Sequence, residues 1–218
     1  MLKPSAATFL SLAAVLGTTS TAWAEGSAAE AEQVEIPDAP DTLSQSLQLF
    51  ASASWVDVWG ELSEGKAVRR SLGSGPSIGG EALYGLSRDV ALGLWGHWDE
   101  YSAPSSCSGC SGHSVAFGPS VTYRLTQGTR LDPWASFGMG YSFTSVKVTG
   151  TELSFSGPEW ARLGLGADWY LGSSILLGPF AELTVGQNQT VPSDGSEGAA
   201  HFRLLGGLRV GLTTTSRK

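Results

Sequence analysis

Few side chains in this sequence could carry out chemistry, and two cysteines are the most conspicuous of them. Cys107 and Cys110 enclose a Ser-Gly dipeptide within a segment rich in Ser, Gly and Pro. A redox-active pair needs its first cysteine at a helix N-terminus, and covalent haem needs His directly after the second cysteine, where Ser111 stands. We predict a loop disulfide, a bond that forms and persists in oxidising compartments. A metal site completed by His113 is the alternative, although this spacing lacks a fourth ligand.

His97 and Asp99 form the second candidate pair. They are two residues apart on one face of an alternating segment, so their side chains are within reach of each other. A histidine and a carboxylate are two members of a hydrolytic triad. No sequence motif ties a serine to them, and they lie on the face opposite the apolar residues. We therefore predict no catalytic residue, no metal and no cofactor.

These residues must be positioned by strands, because the hydrophobic pattern beyond residue 46 has a period of two. In the last such segment, Ala200, Phe202 and Leu204 alternate with His201 and Arg203. This alternation is typical of strands with one apolar and one polar face. Eight segments share it: 47–61, 71–86, 90–101, 114–125, 133–146, 160–171, 175–187 and 200–212. Each exceeds the roughly 9–11 residues that a tilted strand needs to cross a bilayer.

The connections between the segments alternate in length. Short turns are predicted at 87–89, near 127–128 and at 172–174, and longer polar stretches at 63–70, 102–113, 147–158 and 188–198. Short turns at one end and long loops at the other indicate an up-and-down meander. The sequence therefore predicts an all-β fold, an eight-stranded antiparallel up-and-down barrel over residues 47–212, followed by a tail at 213–218.

The first 46 residues differ in composition from the rest. Residues 1–24 have a lysine, an apolar stretch and Ala22-Trp23-Ala24, which predicts a cleaved secretory signal peptide rather than a retained anchor. Residues 25–46 hold six acids and no Lys or Arg, which predicts a disordered arm. A solvated tether and a partner-binding acidic tail remain the alternatives for this arm.

The net charge of −7 at pH 7 belongs mainly to the arm. The leader holds one of the 13 basic residues and the arm six of the 20 acids, which leaves 12 and 14 in the remaining chain. The arm is acidic and the remaining chain is close to neutral, so the sequence lacks the basic surface that a nucleic-acid-binding protein needs. Charged residues make up only 15% of the sequence, against roughly 25% in an average soluble domain.

The polar face of the strands indicates which face meets lipid. It consists mainly of Gly, Ser and Ala, and none of the four lysines falls inside a predicted strand. Small residues suit the interior of a narrow barrel, so the apolar face is expected to be the outer one. A soluble ligand-binding barrel with an apolar interior is the alternative.

Charges on the inward face are balanced and predict an ion-pair network in the lumen. Its expected members are Glu81, Asp99, Arg124, Arg162, Asp168, Glu182, Arg203 and Arg209. We expect Arg124, Arg162 or Arg203 to pair with Glu81, Asp168 or Glu182.

Aromatic residues recur on the apolar face near both ends of the strands. Such residues form girdles where a barrel meets the membrane interfaces. The predicted girdle comprises Trp55, Trp59, Tyr84, Trp98, Tyr123, Trp160 and Trp169.

This architecture resembles the small eight-stranded outer-membrane β-barrels of Gram-negative bacteria, including the transmembrane domain of the OmpA type. The stretch 207–212, Gly-Leu-Arg-Val-Gly-Leu, is similar to the terminal assembly signal of that family but lacks its final aromatic residue. The resemblance implies an outer-membrane location, outer-membrane lipid and the barrel assembly machinery as partners, and a monomer. It also implies that the arm and short turns are periplasmic and that the long loops face outward.

The resulting prediction is a non-enzymatic outer-membrane barrel with a structural or interaction role through its extracellular loops, whose partners the sequence does not identify. A narrow channel or small-solute transporter is one alternative. A lipid-modifying enzyme that uses His97 is another, since some barrels of this kind are such enzymes.

Overall fold

The computed structural model describes most of the chain beyond the predicted arm. The described residues are 45–63, 66–67, 72–103, 107, 109–125, 130–148, 150–188 and 199–214. The predicted signal peptide at 1–24, the arm up to residue 44 and the last four residues of the predicted tail lie outside them. Within the described part, no helix is long and apolar enough to cross a membrane.

Strands account for most of the described residues. They are β1 (Leu47–Ser63), β2 (Lys66–Ala67), β3 (Gly75–Gly85), β4 (Val90–Tyr101), β5 (Ser111–Arg124), β6 (Leu131–Val148), β7 (Thr151–Leu171), β8 (Ile175–Gln187) and β9 (Ala200–Thr214). Apart from the two-residue β2, which pairs only with the end of β1, each strand pairs antiparallel with its neighbours along the chain, and β9 pairs back onto β1. The predicted eight-stranded up-and-down barrel is therefore confirmed.

The pairing of β1 with β9 closes the barrel. It runs from Leu47 opposite Thr214 to Gly60 opposite His201, so that neither strand is left as a free edge. The Thr214 hydroxyl also donates to the carbonyl oxygen of Leu47, at 3.1 Å. Strand β9 thus continues two residues past the predicted end of the barrel at residue 212.

Side chains alternate between the lumen and the outer surface along every long strand. On β8, for example, Leu176, Phe180 and Glu182 are buried, whereas Leu177 and Leu183 are exposed. Small residues inside make room for large ones: a Cβ on Gly166 would lie 2.5 Å from Cζ2 of the buried Trp134. Most charged side chains of the strands point inward, together with some apolar ones, and large apolar side chains cover the outer surface.

Strand β7 contains a β-bulge at Trp160. Glu159 pairs with Gly140 and Gly186, and the regular register resumes at Arg162 opposite Gly138. Trp160 is the extra residue against β8, whereas Trp160 and Ala161 together lie opposite Met139 on β6. The side chain of Trp160 points outward. Because one residue is inserted, odd-numbered side chains face the lumen before the bulge and even-numbered ones after it.

The predicted long loop at 147–158 is instead an extension of the β6–β7 hairpin. Strand β6 continues to Val148 and β7 begins at Thr151, and their pairing is continuous from Phe143 opposite Ser156 to Val148 opposite Thr151. The Ser, Thr and Glu residues of this segment suggested a loop, but their ladder hydrogen bonds to the partner strand make it a two-stranded extension.

Candidate functional site

The lumen holds three groups of charged side chains, and the first lies near the short turns. The guanidinium of Arg124 is fully buried and donates to Asp132 at 2.7 Å, to Asp168 at 3.1 Å and to the amide oxygen of Gln48 at 2.8 Å. These four residues come from β1, β5, β6 and β7. One arginine therefore joins strands that are not all neighbours in the sheet.

Arg209 connects this first group to the middle of the barrel. Its Nε and Nη2 donate to the two oxygens of Asp168 at 2.9 and 2.6 Å, and its Nη1 donates to Glu81 at 3.4 Å. The guanidinium also lies over the rings of Phe50 and Trp134, at 4.1 and 3.7 Å from their centroids. The bidentate bond and the two cation–π contacts fix this side chain in one orientation.

The second group is centred on Arg162 and Glu182. Arg162 binds both oxygens of Glu182, with Nε to Oε2 at 2.9 Å and a second bond from Nη2 to Oε1. His97 Nε2 lies 3.2 Å from Oε2 of the same carboxylate. Glu81 lies 3.8 Å from Arg162 and accepts a hydrogen bond from Ser120 at 2.9 Å. The carboxylate of Glu81 thus joins the second group to Arg209.

The third group lies toward the long loops and is centred on Arg203. This arginine donates to Asp99 at 2.7 Å and to Glu159. Asp99 also accepts hydrogen bonds from the Ser114 hydroxyl at 2.9 Å and from the Tyr101 hydroxyl at 3.2 Å. Every charge in the group has a partner, as buried charges require.

Apolar clusters pack inside the barrel beside the charged groups. One contains Phe50, Leu83, Ala91 and Leu176, and the other contains Val56, Val58, Leu72, Tyr101, Val146, Phe155 and Leu205. Two lumen cavities of about 20 Å³ lie beside the second and third charged groups. Each has room for about one water molecule.

The structure places all eight predicted network residues inside the barrel and brings each one into an ion pair. The pairing differs from the expectation at Arg203, which contacts Asp99 and Glu159 rather than Glu81, Asp168 or Glu182. Sequence reasoning missed two members, Asp132 and Glu159.

Each missed acid has a physical explanation. Asp132 shares the inward parity of Trp134, but the predicted segment began one residue after it. Glu159 has the outward parity of the predicted segment and faces inward only because of the bulge at Trp160.

His97 and Asp99 both lie in the lumen, in different charged groups. His97 contacts Glu182, whereas Asp99 is bound by Ser114, Tyr101 and Arg203. Both side chains are buried behind the barrel wall.

Cys107 and Cys110 form a disulfide, with their Cα atoms 5.6 Å apart. His113, the third residue of the alternative metal site, instead stacks on Trp98, with ring centroids 5.3 Å apart and planes 6° from parallel. In the part of the chain that the structure describes, no group of three or more His, Cys, Asp and Glu residues could hold a metal ion.

The predicted girdle residues lie on the outer surface. Trp55, Tyr84, Trp98, Tyr123, Trp160 and Trp169 are exposed, and Trp59 is half-buried. Tyr84, Tyr123 and Trp169 are within three residues of the strand ends that lead into the short turns. The remaining girdle residues lie farther toward the long loops.

Comparison with known proteins supports the fold but no closer relationship. No family model matches the chain, and no curated protein matches its sequence. Among solved structures, Neisserial surface protein A is 14% identical with a TM-score of 0.53, and the match covers 75% of this chain and 96% of that one. The outer membrane protein OprG from Pseudomonas aeruginosa is 12% identical with a TM-score of 0.51, covering 79% of this chain and 97% of that one. The chain has the fold of the small eight-stranded outer-membrane barrels.

Proposed function

We propose that this protein is a closed barrel of the bacterial outer membrane that passes no bulk solute and acts through its long loops as a structural or interaction protein. The observation that carries this proposal is the charged lumen. Four arginines bind carboxylates across an interior that eight strands leave only wide enough for side chains.

The outer surface supports the membrane location. Leu94, Ile78 and Leu165 are 68, 63 and 63% exposed, and large apolar side chains are exposed on every long strand. A soluble monomer rarely exposes a contiguous apolar patch of more than a few hundred Å². Lipid covers such a surface and keeps it out of water; of the two structural neighbours, one is described as an outer membrane protein and the other as a surface protein.

The energetics of the ion pairs support a closed lumen. A continuous path for solute would require Arg203, Arg162 and Arg209 each to leave its carboxylates. Removing one partner of a buried pair costs about 3–5 kcal/mol. A path through all three groups would require several such separations together, so the closed state should dominate.

The buried position of His97 supports a non-enzymatic role. Its imidazole contacts Glu182 inside the barrel, whereas lipid meets the outer wall. The test is lipid hydrolysis by the refolded protein and by His97→Ala. Activity that is lost in His97→Ala would overturn the non-enzymatic assignment.

Membrane fractionation and single-channel recording test the main proposal. We expect the exported protein in the outer-membrane fraction, with a different gel mobility before and after heating. In planar bilayers we expect no stable conductance steps. Protein recovered only in the soluble fraction would refute the location, and reproducible steps would refute the closed lumen.

A narrow channel is the second candidate, and the two lumen cavities are the observation that favours it. They lie at two levels, beside Glu182 and beside Arg203, where buried polar atoms such as Nδ1 of His201 have no hydrogen-bond partner. Ordered water at these positions would form part of a path. Proton flux into vesicles without ion conductance would favour this candidate over a fully closed barrel.

A further inference from the structure

The outer wall changes from apolar to polar between two rows of side chains toward the long loops. In the register of β4 to β7, Trp98, Val115 and Phe143 form an apolar row that ends at the polar Ser156 on β7. Glu100, His113, Ser145 and Ser154 form the next row toward the loops. If lipid covers the apolar belt, this step lies at the level of the lipid headgroups.

A groove follows this step across four strands, and we call it the wall groove. It consists of two adjoining hollows of about 250 and 260 Å³ that share His113 and Ser145. Trp98, Glu100 and Lys147 line the first, and Val115, Phe143 and Ser154 line the second. Hollows of this size suit one or two small rings.

The stack of His113 on Trp98 gives the first hollow an aromatic side. The two rings are nearly parallel, so each restricts the orientation of the other. Aromatic faces carry partial negative charge and attract the weakly positive C–H groups of a ring that lies against them. Hydrogen-bonding groups surround this aromatic side, because Glu100, Ser145 and Lys147 also line the hollow.

The charges of the wall groove argue against a bare anion. Glu152 stands beside the groove and accepts a hydrogen bond from the Ser145 hydroxyl at 2.6 Å. That bond, together with the nearby charge of Lys147, lowers the pKa of Glu152 below its ordinary value. In a formal count, Lys147 contributes +1 and Glu100 and Glu152 contribute −1 each, so these three residues carry a net charge of −1. Carboxylates accept hydrogen bonds and an ammonium donates them, so together they can bind hydroxyl groups, which both donate and accept hydrogen bonds.

We propose that the wall groove binds the saccharide headgroup of a membrane glycolipid. This inference rests on the proposed membrane location. Sugar hydroxyls bond to Glu100, His113 and Lys147, and one sugar ring packs on the aromatic side at Trp98. The groove thereby holds one lipid molecule against β4 to β7.

The groove fits a lipid better than a free sugar because it continues into the apolar belt. Phe143 lines the second hollow and stacks on Phe117 below it, with ring centroids 6.3 Å apart. Both rings are exposed on the outer wall. They offer an acyl chain a continuous apolar surface from the groove toward the middle of the belt.

The test uses the refolded full barrel in phosphatidylcholine vesicles that contain small equal fractions of digalactosyldiacylglycerol and phosphatidylglycerol. After gentle detergent extraction, mass spectrometry measures the lipid retained by each barrel. We expect the glycolipid to be retained in preference to phosphatidylglycerol, and retention to fall roughly tenfold in Trp98→Ala, as for the loss of an aromatic anchor. Glu100→Gln, which keeps the shape of the side chain, should also lower it.

Trp55→Ala is the matched control, because Trp55 is an exposed tryptophan on β1, outside the wall groove. It should retain the glycolipid as the unmodified protein does. Preferential retention of phosphatidylglycerol, or equal retention by the Trp98→Ala and Trp55→Ala proteins, would overturn the proposal. Equal competition by free digalactose would overturn the assignment to a lipid. The heat-dependent gel shift of each sample reports insertion into the vesicles independently of lipid retention. A failure of the membrane assignment can therefore be distinguished from a failure of glycolipid binding.

Discussion

Arg203 on β9 reaches Glu159 on β7, although β8 lies between these strands in the sheet. The same guanidinium binds Asp99 on β4, so that one side chain joins three strands through the interior. Ladder hydrogen bonds hold only neighbouring strands together. The third charged group therefore ties the barrel together across its lumen.

Glu159→Ala should lower the free energy of unfolding in vesicles by about 3 kcal/mol, because it removes one partner of a buried ion pair. The measurement is urea unfolding followed by tryptophan fluorescence. Glu152→Ala is the control, since Glu152 is on the same strand but exposed, and it should change stability by less than about 0.5 kcal/mol. Equal effects of the two substitutions would contradict the assignment of Glu159 to the lumen network.

Deletion of Trp160 should leave a barrel that still folds. Without this residue, Glu159 would precede Ala161, and the inward and outward positions would alternate without a break along β7. Deletion of Leu165 is the contrasting variant, because Leu165 lies in a regular part of β7. Without it, the residues on one side of the deletion would have to exchange their inward and outward positions. We expect the heat-dependent gel shift to persist in the first variant and to be lost in the second. Loss in both would show that the bulge itself is required for folding.

The bulge also explains the limit of prediction from the sequence. Period-two alternation locates all eight long strands and assigns the correct face to Arg124, Arg162 and Arg203, because burial on one side fixes parity. The alternation over 160–171 is regular, so it does not indicate that odd-numbered residues face the lumen before Trp160 and even-numbered ones after it. The residues before Trp160 form a second alternating run, in which Phe155, Gly157 and Glu159 share the inward face.

Which inward charges pair could not be read from the sequence. Parity places Arg203 and the acids in one lumen, but the height of each residue along the barrel depends on the register of every intervening strand. Asp99 and Glu159 reach Arg203 because the strand register places all three near the long loops. The length of the β6–β7 hairpin was missed for a related reason, since its polar residues resemble a loop until their partners are known.

Leu163→Arg and Val121→Arg should each cost about 2–4 kcal/mol in vesicles, because both side chains are exposed in the apolar belt. Thr151→Arg, at the tip of the β6–β7 hairpin, should cost about 0–1 kcal/mol. The comparison is informative because a surface charge on a soluble barrel with this polar interior would be nearly neutral at all three sites. Equal and small effects would argue against lipid contact at Leu163 and Val121.

A double-mutant cycle on Arg162 and Glu182 tests whether the second group acts as a unit. Arg162→Met leaves Glu182 without its bidentate partner, and Glu182→Met leaves the guanidinium with Glu81 at 3.8 Å. Each single substitution should cost about 3 kcal/mol, because a buried charge loses its partner. The double substitution removes both charges, so it should cost less than the sum of the two single substitutions by about 1–3 kcal/mol.

Combining Arg162→Met with Tyr101→Phe is the control, since Tyr101 belongs to the third group and the two effects should add. Additive effects in both pairs would mean that the bond between Arg162 and Glu182 contributes little to holding β7 against β8.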